Sequence, residues 1–236
     1  MITVLPRVRS ITSHVLDLLF PLWCIGCGRE GEVVCRSCRE TIQFIGPSFC
    51  ERCGRPVLED GVCHNCAGIA LTIDGIRAPF LFQGILRQAV HELKYRNLKA
   101  IAPFLAGEMA SYLQKYPLEA DILVPVPLHA RRLKERGYNQ SELTTRYLSA
   151  LTGIPWKSNI LVRQRHSPPL ARSASREERR ENIAGAFAVS GEGLAGKNII
   201  LVDDVSTTGS TLDACAAVIK AAGAQKVWGL VAALEL

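Results

Sequence analysis

A chain of 236 residues, 48% hydrophobic and 21% charged, carries enough apolar material for one large or two modest cores, which excludes a disordered polypeptide. Its formal net charge of +6 suits phosphate-bearing ligands but is too small to identify a nucleic-acid binder by itself. No apolar run approaches the roughly 20 residues needed to span a bilayer, and the first residues lack the ordered blocks of a secretory leader, so the cytoplasm is the expected compartment.

In chain order, Ile11, Val15, Leu18 and Leu19 recur at helical spacing. They predict a short amphipathic helix over 8–19, within an N-terminal segment of residues 1–22. Its apolar stripe is expected to cover a protein surface, with a membrane surface as the alternative. Eight of the nine cysteines then fall as Cys24-x-x-Cys27, Cys35-x-x-Cys38, Cys50-x-x-Cys53 and Cys63-x-x-Cys66. Each pair turns the backbone so that two thiolates face one ion, and two pairs complete a tetrahedral site. Residues 23–70 therefore read as a double zinc ribbon holding two structural Zn2+ ions.

Sequential pairing of the four C-x-x-C turns is the simpler choice, and interleaved pairing is also geometrically open. Disulfides are disfavoured in a chain without an export signal. A single iron–sulfur cluster would leave half of the thiolates unused. Large apolar residues are few between 24 and 66, so metal bonds must supply much of that segment's folding energy. His64, between two ligands, is expected to face solvent, and Cys215 reads as a small packed residue.

From about residue 71 to 236 the composition is that of a second domain. Ile73 to Phe82 reads as a strand. Leu86, Val90 and Leu93 mark a helix running to about Tyr95, and its end carries Lys94 and Arg96, where basic side chains favour the dipole whether or not they bind a ligand. A further helix is expected over 99–115. Ile122-Leu123-Val124 starts as a buried strand and stops at Pro125 and Pro127, leaving Val126-Pro127-Leu128-His129 as a stiff loop suited to an anion. Arg131, Arg132, Lys134 and Arg136 follow at once, dense enough to meet a pyrophosphate-sized ligand. Gly137-Tyr138-Asn139-Gln140 leads into a helix through Leu143, Tyr147 and Leu151. Residues 163–182, rich in arginine with Ser167-Pro168-Pro169 among them, read as a mobile basic lid and a short helix ending near Asn182.

The most informative stretch is Ile199-Ile200-Leu201-Val202-Asp203-Asp204-Val205-Ser206-Thr207-Thr208-Gly209-Ser210-Thr211. An aliphatic run predicts a strand of a parallel sheet, ending in two adjacent carboxylates where such strands meet a ligand crevice. The hydroxyl-rich turn and the helix starting near Leu212 offer N–H groups and hydroxyls to a phosphate. No lysine follows Gly209, which rules out a Walker A loop. Acids beside a phosphate cup suit a sugar phosphate, the carboxylates accepting from a ribose diol. A last apolar strand carries Val227, Leu230 and Val231.

This stretch resembles the 5-phosphoribosyl-1-pyrophosphate (PRPP) motif of type I phosphoribosyltransferases. With the four C-x-x-C pairs, Leu93-Lys94-Tyr95-Arg96, Val124-Pro125-Val126-Pro127, Arg136-Gly137-Tyr138-Asn139-Gln140 and Arg179-x-x-Asn182 before Gly185-Ala186-Phe187, the whole chain is similar to the competence protein F (ComF) family. The resemblance implies an α/β parallel-sheet phosphoribosyltransferase fold preceded by a small double zinc ribbon. It implies that Asp203 and Asp204 bind the ribose hydroxyls and act in catalysis. Thr207, Thr208, Gly209, Ser210 and Thr211, with Ser206 beside them, would hold the 5′-phosphate. Val126, Pro127, Leu128 and His129, aided by Lys94, Arg131 and Arg136, would meet the pyrophosphate. Mg2+ would enter with PRPP. The implied activity is phosphoribosyl transfer to an unidentified acceptor linked to DNA uptake in natural competence. The alternative is a PRPP- or nucleotide-sensing adaptor that works with single-stranded DNA and a competence helicase. The family's flexible loop usually carries T-x-x-Q, whereas this chain has Ser167-Pro168-Pro169-Leu170.

Overall fold

A computed structural model describes residues 21–58, 61–165, 178, 182–183 and 185–236. The expected helix over 8–19 and most of the expected lid lie outside the described residues. The chain divides into two compact units, Met1–Thr41 and Ile42–Leu236. In the described part of the first, Cys24 N–H donates to Arg29 and Gly28 N–H to Cys24, at 2.8 Å each, closing a tight turn before a one-turn helix, α1 (Arg36–Arg39).

The second unit carries β1 (Gly75–Arg77), β2 (Phe80–Leu81), α2 (Gly84–Tyr95), α3 (Ile101–Lys115), β3 (Ile122–Pro125), α4 (Ala130–Arg136), α5 (Gln140–Thr152), β4 (Leu161–Arg163), β5 (Phe187–Val189), β6 (Asn198–Ser206), α6 (Ser210–Ala221) and β7 (Lys226–Leu234). Its main sheet is parallel, in the order β1-β7-β6-β3, and β2 also pairs with β7. Strands β4 and β5 form a separate antiparallel pair. The single strand expected over 73–82 is thus two short pieces of one edge. Pro79, which has no N–H to donate, falls in the break, and its carbonyl accepts instead from Ile45 N–H at 2.9 Å.

Ile199, Ile200, Leu201 and Val202 are wholly buried, as a central strand of a parallel sheet requires. Helix α6 covers one face of the sheet, packing Leu212, Cys215, Ala216 and Ile219 with Ile199, Leu201, Val227 and Val231. Helices α3 and α5 pack on each other, α3 against β7 and α5 against β3 and β6. Strand β3 ends at Pro125, opposite Val202. Strand β6 runs on to Ser206, because β7 continues to pair with it through Val205↔Ala233 and Ser206↔Leu234. The acids therefore do not terminate the strand, as the sequence suggests. They occupy its first positions beyond the end of β3, where the sheet opens into a crevice.

The 50–66 ribbon is seated on β1. Ile76 N–H donates to Arg52 at 2.9 Å, and Gly54, at φ +72°, lies so close that a Cβ would stand 2.5 Å from the Ile76 carbonyl oxygen. Only glycine tolerates both conditions. Gly54→Ala is expected to lower the unfolding free energy by about 2–4 kcal/mol, read as a reduced urea midpoint; an unchanged midpoint would mean the ribbon is not seated there.

Candidate functional site

The cysteine sulfurs form two groups, Cys24, Cys27, Cys35 and Cys38, and Cys50, Cys53, Cys63 and Cys66, each within 4.8 Å of one another. The sequential grouping is the one adopted. The Cys27–Cys35 and Cys53–Cys63 sulfurs stand 3.6 Å apart. Thiolates about 2.3 Å from a tetrahedral ion are separated by about 3.7 Å, whereas a disulfide requires about 2.05 Å. Backbone N–H groups of Cys35 and Cys63 point at the sulfurs of Cys24 and Cys50, at 3.3 and 3.2 Å, as bonds to a negatively charged sulfur would. Both groups fit a structural zinc ion. His64 is exposed and belongs to neither group. Cys215 is wholly buried on α6, where burial and the charge of Asp203 push its thiol well above the ordinary value.

At the open edge of the sheet, consecutive β6 residues reach different partners. Asp204, 3% exposed, accepts from Lys94 Nζ of α2 at 2.7 Å through Oδ1. Its Oδ2 is buried and has no hydrogen-bond partner among the described residues. Asp203 Oδ1 accepts from the Ser141 hydroxyl of α5 at 2.7 Å and from Asp204 N–H at 2.9 Å. Burial first, and the charge of Asp204 second, push the Asp203 carboxyl up to about 6, against the pull of Lys94, Ser141 and the Asp204 N–H.

A cavity of about 160 Å³ opens over these acids, walled by Lys94, Tyr95, Val126, Pro127, Leu128, Arg132, Arg136 and Arg163 among others. Asp203 and Thr211 also border a second hollow of about 30 Å³ whose rim is Ser206, Thr207, Thr208, Gly209 and Ser210. Gly209 has φ +80°, and a Cβ there would lie 2.8 Å from Ile76 Cδ1, so the turn needs glycine twice over. The Thr208 and Ser210 hydroxyls lie 2.8 Å apart at its lip.

The Arg136–Gln140 run joins the walls. Arg136 bonds to Gln140 and stacks on Tyr95 at 5.7 Å. Gly137, at φ +79°, ends α4. The Tyr138 hydroxyl donates to the Leu93 carbonyl of α2, and Asn139 Nδ2 donates to the Val126 carbonyl at 3.0 Å while its Oδ1 caps α5.

Two expected residues stand apart from the cavity. Arg131 pairs with Glu135 on the exposed side of α4, at 3.0 Å. His129 caps the same helix, its Nδ1 accepting from Arg131 N–H at 3.2 Å. The wall is built by Arg132 and Arg136, one turn apart on the other side; helical phase, once α4 is placed, would have chosen them. Ser141 was not expected and no local motif marks it; Gln140 closes the Arg136-Gly137-Tyr138-Asn139-Gln140 run and Arg163 opens the arginine-rich segment, though neither was expected at this cavity. Burial, and then the like charge of Arg132, press Arg163 below its ordinary value. An anion between the two arginines would relieve that crowding.

The double zinc ribbon domain family matches residues 15–67, and the phosphoribosyl transferase domain family matches residues 103–233, more than half of the chain. Competence protein ComFC of Bacillus subtilis is 28% identical over 213 residues, which are 86% of this chain and 81% of that one. Competence protein F of Haemophilus influenzae is 29% identical over 225 residues, 89% of this chain and 97% of that one. The chain belongs to the competence protein F family. It combines a double zinc ribbon with a parallel-sheet phosphoribosyltransferase fold. Among solved structures it is similar to a glutamine PRPP amidotransferase from B. subtilis complexed with ADP and GMP, with a TM-score of 0.37 and 23% identity, over 54% of this chain and 25% of that one. The chain spans about a quarter of that protein's length, too slight a likeness to carry function across. Among the described residues no helix is long and apolar enough to cross a membrane.

Two predictions follow from this geometry. Metal analysis should find two zinc ions per chain; one ion, or iron, would refute the assignment. The folded pKa of Asp203, about 6 against an ordinary 3.8, means that the native state binds the proton more tightly than the unfolded chain. That stabilisation is complete below pH ~4 and is lost as pH rises through 6, a change of up to about 3 kcal/mol. Asp203→Asn should remove the slope and raise stability at pH 8, as measured by urea unfolding at each pH.

Proposed function

We propose that the crevice binds the magnesium complex of PRPP and transfers its phosphoribosyl group to an acceptor. The observation that carries this reading is the continuity of the acid pair with the hydroxyl-lined cup, Asp203 bordering both hollows. A ribose ring over Asp203 and Asp204 would bring its diol to the carboxylates, and the unpartnered Oδ2 of Asp204 is an acceptor suited to a ribose hydroxyl. The 5′-phosphate would enter the cup at Ser206 to Thr211, beside the N-terminus of α6. The pyrophosphate would lie against the Val126-Pro127-Leu128 loop and among Arg132, Arg136 and Arg163.

Breaking the bond from the anomeric carbon to pyrophosphate leaves positive charge on the sugar and negative charge on the leaving group. A magnesium ion bound with the substrate would supply Lewis-acid neutralisation of part of the latter. The three arginines stabilise the rest, and the carboxylates favour the cationic sugar. Lys94, held by Asp204 at the wall of the cavity, would meet an oxygen of the substrate. Asp203 and Asp204 are positioning and electrostatic groups in this scheme, and an acceptor attacks as pyrophosphate departs.

A second reading is favoured by the names of the relatives, which speak of competence and not of catalysis. In it the crevice senses PRPP or a nucleotide, while the chain contacts single-stranded DNA or a helicase. Pyrophosphate release from Mg-PRPP across a panel of nucleobase and amine acceptors supports transfer. No release, together with salt-dependent binding of single-stranded DNA, supports the adaptor. Under either reading Asp204→Asn should weaken Mg-PRPP binding by about a hundredfold with the fold intact; unchanged calorimetric affinity would overturn the site assignment.

A further inference from the structure

The second ribbon reaches the phosphate cup by two routes. In the first, Arg55 lies two residues beyond Cys53, with its backbone fixed on the knuckle, because Cys50 N–H donates to the Arg55 carbonyl at 2.8 Å and Gly54 N–H to that of Cys50 at 2.8 Å. Its half-buried guanidinium leaves the ribbon and donates through Nη2 to the Thr207 carbonyl at 2.8 Å and to that of Glu235, just past β7, at 3.2 Å. In the second, Ile76 of β1 is held by the ribbon from one direction and meets Gly209 from another. It donates to Arg52, packs under Gly54, and brings Cδ1 to 2.8 Å from where a Gly209 Cβ would stand.

The bond to Thr207 has a consequence for the cup. In a trans peptide the C=O of one residue and the N–H of the next point in opposite directions. A guanidinium that holds the Thr207 carbonyl also fixes the direction of the N–H of Thr208, a residue that lines the hollow. A loop whose donors are fixed before the anion arrives loses less entropy on binding it. A cation at this distance also draws electron density from the peptide, which strengthens the N–H as a donor.

We propose that Arg55 is a positioning residue for the phosphate loop, carried there by the second four-cysteine knuckle, so that metal occupancy of that knuckle and binding of a ribose 5′-phosphate are coupled. The inference rests on the phosphoribosyl reading and extends it to a residue in the zinc ribbon. Arg55 touches no substrate here; it acts through Thr207. By linkage the effect runs both ways, and ligand in the cup should tighten the hold on the metal.

The test uses the full chain and calorimetry with two probes, ribose 5-phosphate and magnesium pyrophosphate. Arg55→Gln, too short to reach either carbonyl, should keep two zinc ions and bind pyrophosphate within about twofold of wild type. It should bind ribose 5-phosphate about tenfold or more weakly, the value of a charged hydrogen bond. Arg55→Lys should recover part of that loss. The difference should persist at high salt, where a mere change in surface charge would be screened. In wild type, saturating ribose 5-phosphate should raise the chelator concentration needed to strip one of the two zinc ions, a measurement that stands if the glutamine variant fails to fold.

Unchanged ribose 5-phosphate affinity in Arg55→Gln would overturn the proposal. So would equal losses for both probes, the mark of a merely structural role, or zinc retention indifferent to the ligand. Failure of wild type to bind either ribose 5-phosphate or PRPP would instead remove the phosphoribosyl reading, and this inference with it.

Discussion

The ion pair between Lys94 and Asp204, 2.7 Å long with its carboxylate 3% exposed, is the interaction on which the crevice depends. A carboxylate buried beside a second carboxylate is unfavourable twice, through lost hydration and through like-charge repulsion. Lys94 offsets the repulsion, and the Ser141 hydroxyl and a backbone N–H satisfy Asp203. Among the described residues Asp204 Oδ2 has no partner. A fold selected for stability alone would have removed one acid, since apolar replacements of buried charges are often neutral or better. The retained cost is what the proposed ligand site would account for.

The pair also explains why distant segments converge here. Lys94 ends α2, and the Leu93 carbonyl beside it receives the Tyr138 hydroxyl. Tyr138 sits between Arg136, which stacks on Tyr95, and Asn139, which pins Val126. The end of α2, the proline loop, the end of α4 and the start of α5 are thus tied into one frame over the acids. Displacing any one of them would move a wall of the cavity.

Much of this was legible in the sequence, because the informative residues act locally. The aliphatic run before Asp203, the small hydroxyl turn with Gly209 and the C-x-x-C spacings each encode their geometry within a few residues. Helical phase was legible in principle for the pair Arg132 and Arg136, whereas the expectation named Arg136 together with Arg131, whose partner Glu135 holds it outside. Pro79 is the local signal for the break of the 73–82 edge into two pieces. Ser141, Arg163 and Arg55 could not be read, since each meets its partner across the tertiary fold and no local pattern announces the meeting. A basic residue at a helix end serves the dipole whether or not it faces a crevice, and only the tertiary fold brings Lys94 to 2.7 Å from Asp204.

The arrangement of charge across the crevice carries the chemical logic one step further. Acids occupy the floor at β6, while Arg132, Arg136 and Arg163 line the walls, and the two sets face one cavity. Paired directly, they would neutralise each other and leave nothing for a ligand. Instead Asp204 takes Lys94, Asp203 takes a hydroxyl and an N–H, and Arg136 is steered by Gln140. Opposite charges held apart by their own partners make a field directed from arginines to acids. A bond that breaks with its anionic fragment toward the arginines and its cationic fragment over the acids is stabilised at both ends, with little reorganisation at the moment of reaction. Under the proposed transfer that field would favour one polarity of cleavage over the reverse, the polarity with which a glycosyl pyrophosphate ionises.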